Sequence, residues 1–296
     1  MMPSKYTWIF IICTFVAFVN GKSVFDCPKI NIPPSPQNIS RLHPGHVSIV
    51  MAMGDSITAA FAARSNVMEA RDISWSIGEG SSDQVTLPYM LSFYSAKVEG
   101  QSTKAVLPNN FMHLPDKDYH PDTDHLNVAE SQASVINYNS LVQQWSYLHK
   151  ALKKYDDVDN RWKVLTLWMT ANDICNKCDK PLEEKKLSKW LDRTNTLLQN
   201  VTSTMKKVYV NLISTLDLSR IADVQRHYTL CKLEHKYLLN ECGCIDKGNK
   251  TQLHQLDENI HTVNAKLHEL AATWYEKLRS QGRTDVAIVV QPFQEN

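Results

Sequence analysis

An α/β architecture is expected for this chain: a three-layer sandwich with a mainly parallel, five-stranded sheet and helices on both faces. Short apolar runs of strand length alternate with long amphipathic runs, the pattern of a parallel sheet whose crossovers are helices. In addition, the first apolar run, HVSIVMAMG (46–54), stops at Gly54-Asp55-Ser56 and turns straight into ITAAFAAR. Such a turn presents a side chain at the carboxyl edge of the sheet, where ligands of these folds bind.

The elements follow in chain order. Lys5 precedes the twelve-residue apolar run WIFIICTFVAFV (8–19), with Gly21 shortly after. A spanning helix needs about 20 apolar residues, so residues 1–21 read as a secretory signal. Residues 22–45 are rich in Pro, Ser and Asn and read as a surface lead-in segment. Residues 46–296 then form one domain. Its strand-length runs are 46–54, HLNVAES (125–131), WKVLTLWM (162–169), KVYVNLIST (207–215) and DVAIVVQP (285–292).

Three apolar stripes at spacings of three and four mark helices packed on that sheet. They run from Val135 to Leu152, from Leu187 to Met205 and from Leu253 to Leu278. Two long irregular stretches, 71–123 and 216–250, interrupt the alternation, and loops of that length are usually functional or stapled.

A formal net charge of +1 over 296 residues, with no block of like charge, argues against nucleic-acid binding and against a polybasic membrane anchor. Removal of the signal takes Cys13 and leaves six cysteines: Cys27, Cys175, Cys178, Cys231, Cys242 and Cys244. An even number in an exported chain reads as disulfides, with fifteen possible pairings. Cys175-x-x-Cys178 with Cys242-x-Cys244 also has the ingredients of a four-thiolate zinc site, but the second spacing is short for one. Sequons at Asn38, Asn200 and Asn249 fit an exported glycoprotein.

Gly54-Asp55-Ser56 admits two readings. In one, Ser56 caps the helix that follows. In the other, it is a nucleophile raised on a strand-to-helix turn. The wider sequence favours the second. MGDSITAAFAAR, RDISWSIGEG with TLPYML, LNVAE, LTLWMTANDICNKC, VYVNLISTLDLS and VVQPF, in that order, resemble the phospholipase B branch of the GDSL (SGNH) serine hydrolases. The likeness spans residues 45 to 293, nearly all of the mature chain.

That resemblance implies Ser56 as nucleophile, Asn172 as a side-chain donor of the oxyanion hole, an acyl-ester or phospholipid substrate and no cofactor or metal. It is compatible with peripheral contact with a membrane; without a tethering segment the protein is expected to be secreted. Three positions depart from the family pattern. Gln132 stands where the family has the oxyanion-hole glycine, and its side chain is expected to crowd that spot. Thr170 replaces a glycine two positions before Asn172. The Asp-x-x-His motif that supplies the family's base after the last strand has no counterpart, because the sequence ends at QEN, three residues past VVQPF.

No other histidine is expected to replace that base. Asp122-x-x-His125 precedes the second strand, at the wrong edge. His254, His261 and His268 recur every seven residues, about 10 Å apart along a helix, and read as a solvated stripe. His113 and His120 have no spacing that recommends them. The aromatic residues Trp75, Tyr89, Phe93, Tyr94 and Phe111 read as core.

Three functions fit this sequence: an ester hydrolase whose base lies in a continuation of the chain, a catalytically silent relative that binds lipid or ester, and a structural module. The first is expected for the complete protein, and these 296 residues alone are expected to turn over esters weakly or not at all.

Overall fold

The computed structural model describes residues 31–64, 67–108, 119–136, 138–227 and 242–293. Its centre is a parallel sheet of four strands: β1 (Val47–Gly54), β4 (Trp162–Trp168), β5 (Val208–Ile213) and β6 (Val286–Gln291), in the order β1-β4-β5-β6. A small antiparallel pair, β2 (Glu69–Ala70) with β3 (Ala105–Val106), lies apart from it. The helices are α1 (Ser56–Ala59), α2 (Leu87–Ser92), α3 (Pro121–Asp124), α4 (Tyr138–Leu152), α5 (Ala171–Ile174), α6 (Glu184–Thr204), α7 (Ser219–His227), α8 (Gly243–Lys247) and α9 (Lys250–Ser280).

The expected fifth strand is not a regular strand. Residues 126–130 do run parallel to β1: Ala52 N–H donates to the Leu126 carbonyl at 3.1 Å, and Val128 and Glu130 N–H donate to the Ala52 and Gly54 carbonyls at 3.0 and 3.1 Å. On their outer side, however, the Asn127 and Ala129 carbonyls accept from the two terminal nitrogens of Arg71 at 2.9 and 2.7 Å. A guanidinium occupies the place of a neighbouring strand, and the segment stays irregular.

Helices flank the sheet as expected, but its two faces are unequal. Side chains alternate along a strand, so Ile49, Met51 and Met53 enter one core while Val50 and Ala52 enter the other, which Val47 joins across an irregularity in register between Val47 and Ile49. The first core is large and closed by α4, α6 and α9 through residues such as Leu148, Leu198, Leu256 and Trp274. The second is small, covered by α2 and the surrounding irregular segment through Ile77, Leu87 and Leu91. Because both faces are buried, β1 and β4 read as mainly apolar runs, interrupted only by Ser48 in β1 and by Lys163 and Thr166 in β4.

The three apolar stripes match α4, α6 and α9, except that Val135 precedes α4 and Met205 follows α6. The described part of the lead-in straps the sheet from outside: Pro36 accepts from the Trp162 indole at 3.1 Å, and Ile39 N–H donates to the Thr284 carbonyl at 2.7 Å. The expected signal segment and His113 lie outside the described residues, as do Phe111, Cys27 and Cys231. Among the described residues no helix is long and apolar enough to cross a membrane.

Candidate active site

Parallel pairing puts Gly54, Trp168, Ile213 and Gln291 at one edge of the sheet, because Gly54 is in register with Trp168 and Ile213 with Gln291. Ser56, Asn172 and the 130–133 turn all gather at this carboxyl edge. Ser56 is two residues beyond β1, Asn172 four beyond β4, and Glu130 is hydrogen-bonded to Gly54.

The turn into α1 is tight and held from three sides. Gly54 is glycine for space, since a Cβ there would lie 2.2 Å from Thr58 Oγ1 and 2.7 Å from the Trp168 carbonyl oxygen. Its peptide groups are clamped by the buried Gln144 side chain, whose Oε1 accepts from Gly54 N–H at 3.0 Å and whose Nε2 donates to the Gly54 carbonyl at 2.8 Å. Gln144 falls between Leu141 and Leu148 on the apolar stripe of α4. A buried amide on a core face was the sequence signal for this contact, and it went unread.

Asp55, not Ser56, caps the helix. Its Oδ1 accepts from Ile57 N–H at 2.9 Å. The helix is also a single turn, ended by Ala60 in the left-handed region, and not the longer ITAAFAAR segment. The capping role is therefore taken, and the half-buried Ser56 hydroxyl has no hydrogen-bond partner among the described residues.

Loop 130–136 is fastened by α5. Asn172 Nδ2 donates to the Ala133 carbonyl at 2.9 Å, and the two Asp173 carboxylate oxygens accept from Val135 and Ile136 N–H at 2.8 Å each. From the other side Glu69 Oε1 accepts from the Ser131 hydroxyl at 2.6 Å and from Ser131 N–H at 3.3 Å. Glu69 in turn is paired with Arg71, at 2.7 and 2.9 Å, inside the protein. None of Glu69, Arg71, Gln144 or Asp173 was singled out from the sequence, although Arg71 opens the RDISWSIG segment.

Gln132 sits within this loop at φ +68°, the left-handed conformation that glycine adopts freely. It is exposed, and its backbone carries a cost of its own. Gln132→Gly is expected to stabilise the fold by about 1 kcal/mol, the typical price of a side chain in that region. Equal chemical-denaturation midpoints for the two forms would contradict this.

Two carboxyls beside Ser56 hold their protons unusually high. Burial pushes Asp55 up to about 7, with the charge of Asp173 adding to it against the Ile57 hydrogen bond. Burial likewise pushes Asp173 up to about 6, opposed by its bonds to Ile136 and Val135. The folded state therefore binds protons that the unfolded chain releases near pH 3.8. The stability these groups contribute is full below that pH and is lost as pH rises towards 7, by about 1.4 kcal/mol for each tenfold difference in proton affinity between the folded and unfolded chain. Asp55→Asn keeps the cap and removes its share. Its thermal midpoint is expected to vary less between pH 4 and 7 than that of the parent, and an unchanged slope would refute the assignment.

Several expectations fall away from the site. His125 precedes Leu126, whose carbonyl bonds Ala52, so it lies upstream of the carboxyl edge. His254, His261 and His268 are exposed on α9, and His261 Nε2 lies 2.8 Å from Asp217 Oδ1. The four-thiolate zinc reading does not hold, because Cys178 and Cys244 form a disulfide. Among the described residues no group of three or more His, Cys, Asp or Glu is arranged to hold a metal. Trp75, read as core, is partly exposed and packs edge-on against Trp168 at 5.7 Å, and Phe293 packs on the same indole at 5.3 Å. Phe293 N–H also donates to Ser214 Oγ at 2.8 Å. The last described residue thus lies at the same sheet edge as Ser56.

The sequence model of the GDSL-like lipase/acylhydrolase family matches residues 50–296. Among curated proteins, the chain is 27% identical over 290 residues to the membrane-associated phospholipase B1 of Homo sapiens. It is likewise 27% identical over 294 residues to that of Mus musculus. Each match covers 95% of this chain and 18% of the relative, so the chain spans less than a fifth of the length of these proteins.

Proposed function

Because the chain belongs to the GDSL-like lipase/acylhydrolase family, we propose that it carries the nucleophile and oxyanion half of an ester hydrolase acting on phospholipids, lysophospholipids or related acyl esters. The observation that carries the reading is Ser56 itself. Its hydroxyl is half-buried at the carboxyl edge and spared from capping by Asp55, with no hydrogen-bond partner among the described residues.

Ser56 Oγ attacks the ester carbonyl carbon, its proton passes to a base, and the alcohol departs to leave an acyl-enzyme that water then cleaves. The developing oxyanion is received by the backbone N–H of Ser56, by the N–H of Gln132 and by the Asn172 amide. One such donor is worth roughly 3 kcal/mol of barrier. A protonated Asp55 helps by placing no negative charge next to that oxyanion. In the family the base is expected after the last strand, and the packing of Phe293 on Trp168 supports that reading.

Export as a glycoprotein belongs to the same proposal. Asn38 and Asn249 are exposed and Asn200 is partly so, which leaves all three sequons at the surface. A second reading, an ester-binding relative without turnover, draws on Gln132 in place of glycine.

The two readings separate with a fluorophosphonate probe and lysophospholipid micelles applied to the native protein. Covalent labelling at Ser56 together with release of fatty acid supports the hydrolase. Lipid retention without labelling would replace it by the binding reading.

A further inference from the structure

Four cysteines meet at one place in the fold. Cys175 and Cys178 follow α5, while Cys242 and Cys244 lie at the start of α8. Cys178 and Cys244 are joined. Cys175 and Cys242 are present as thiols, buried to 5% and 9% exposure. The Cys242 Sγ lies 2.6 Å from the Cys175 carbonyl oxygen, which sets the two cysteines side by side.

Buried thiols of this kind have few uses. Contact with Cys175, and then burial, push the Cys242 thiol up, and a nucleophile or redox sensor needs the opposite shift and solvent access. A four-thiolate zinc site needs all four sulfurs free, and two of these are already bonded to each other. What remains for two adjacent thiols in an exported chain is each other.

We propose that Cys175 and Cys242 form a second disulfide beside Cys178–Cys244. The oxidant is glutathione disulfide. One protein thiolate displaces a glutathione thiolate to give a mixed disulfide, and the second displaces the remaining glutathione. Two S–H bonds are lost, one protein S–S bond forms, and the two electrons reduce glutathione disulfide to two glutathione thiols. Burial places this step before the region closes during folding.

The effect is local. Cys178–Cys244 already spans a separation of 66 residues, and the second bond interleaves with it, so little loop entropy is left to remove. What it fixes is α5. Cys175 N–H bonds the Ala171 carbonyl at 2.9 Å, and Gly243 N–H bonds Asn176 Oδ1 at 2.7 Å. The bond therefore ties the end of the helix that carries Asn172 to α8. The inference does not depend on the hydrolase reading.

Peptide mapping tests it without any assay of activity. The full chain, recovered from a secretory host, is alkylated in denaturant without reduction and digested with trypsin. Lys177 separates Cys175 from Cys178, whereas only Gly243 separates Cys242 from Cys244. The expected product is three peptides held by two bonds, with neither Cys175 nor Cys242 alkylated. In the Cys178→Ser/Cys244→Ser variant, the Cys175 peptide should remain joined to the Cys242 peptide. If that variant does not fold, fragmentation of the wild-type product at Gly243 makes the same assignment. Alkylated Cys175 or Cys242, a bond from either to Cys27, Cys231 or Cys244, or one zinc per chain would overturn the proposal.

Discussion

In the complete protein, Ser56→Ala is expected to abolish covalent labelling and to lower ester turnover by roughly 10⁶-fold, the scale seen when a serine nucleophile is removed. The fold should hardly notice. The α1 cap is the Asp55 carboxyl, Gly54 is clamped by Gln144, and the Ser56 hydroxyl has no hydrogen-bond partner among the described residues. A change confined to such a side chain usually stays within about 0.5 kcal/mol. The two readouts must therefore separate: turnover collapses while the denaturation midpoint holds. If turnover persists in the variant, Ser56 is not the nucleophile. If turnover and midpoint fall together, the residue supports the turn and nothing has been learned about chemistry, so the midpoint is measured first.

The largest effect on stability is expected from Arg71→Met. Arg71 is 1% exposed and has two buried carboxylates within reach, Glu69 at 2.7 Å and Asp124 at 3.5 Å. It also holds the Asn127 and Ala129 carbonyls. Removing it leaves Glu69 uncompensated in the interior, and breaking a buried pair in this way costs about 3–5 kcal/mol. Adding Glu69→Gln removes that stranded charge, so Glu69→Gln/Arg71→Met should be more stable than Arg71→Met alone. Urea denaturation of the parent and the two variants measures both terms. A single-variant loss under about 1 kcal/mol, within the range of an exposed ion pair, would show that the network does not hold loop 127–131.

The elements that could be read from the sequence were those with a period. β1, β4, β5 and β6 announced themselves as apolar runs, and α9 as an apolar stripe over most of its length. Ser56 and Asn172 were found through motif order, and the shared sheet edge explains why residues so far apart in sequence belong together. What escaped was whatever depends on tertiary pairing. The 126–130 segment has strand composition, but its outer carbonyls are claimed by a guanidinium from residue 71. Gln144 is one polar residue in an otherwise apolar stripe, and its partner is 90 residues away. The strain at Gln132 lies in a backbone angle that no composition reveals. A cap at Ser56 stood beside the nucleophile as an alternative because Ser and Asp are both good caps, and only the geometry assigns that role to Asp55.

The Arg71 contacts also govern how this protein meets copies of itself. A sheet margin with unfilled peptide groups is a template onto which a stray strand can add, and fibrils grow from such margins. On the β1 side the outward groups of Asn127 and Ala129 are taken. The outward Asn127 and Ala129 carbonyls are filled by Arg71, Asn127 N–H bonds the Asp124 carbonyl at 2.8 Å, and Ala129 N–H bonds Asn127 Oδ1 at 3.3 Å. Among the described residues, growth of the central sheet is closed in that direction, and its other margin is β6.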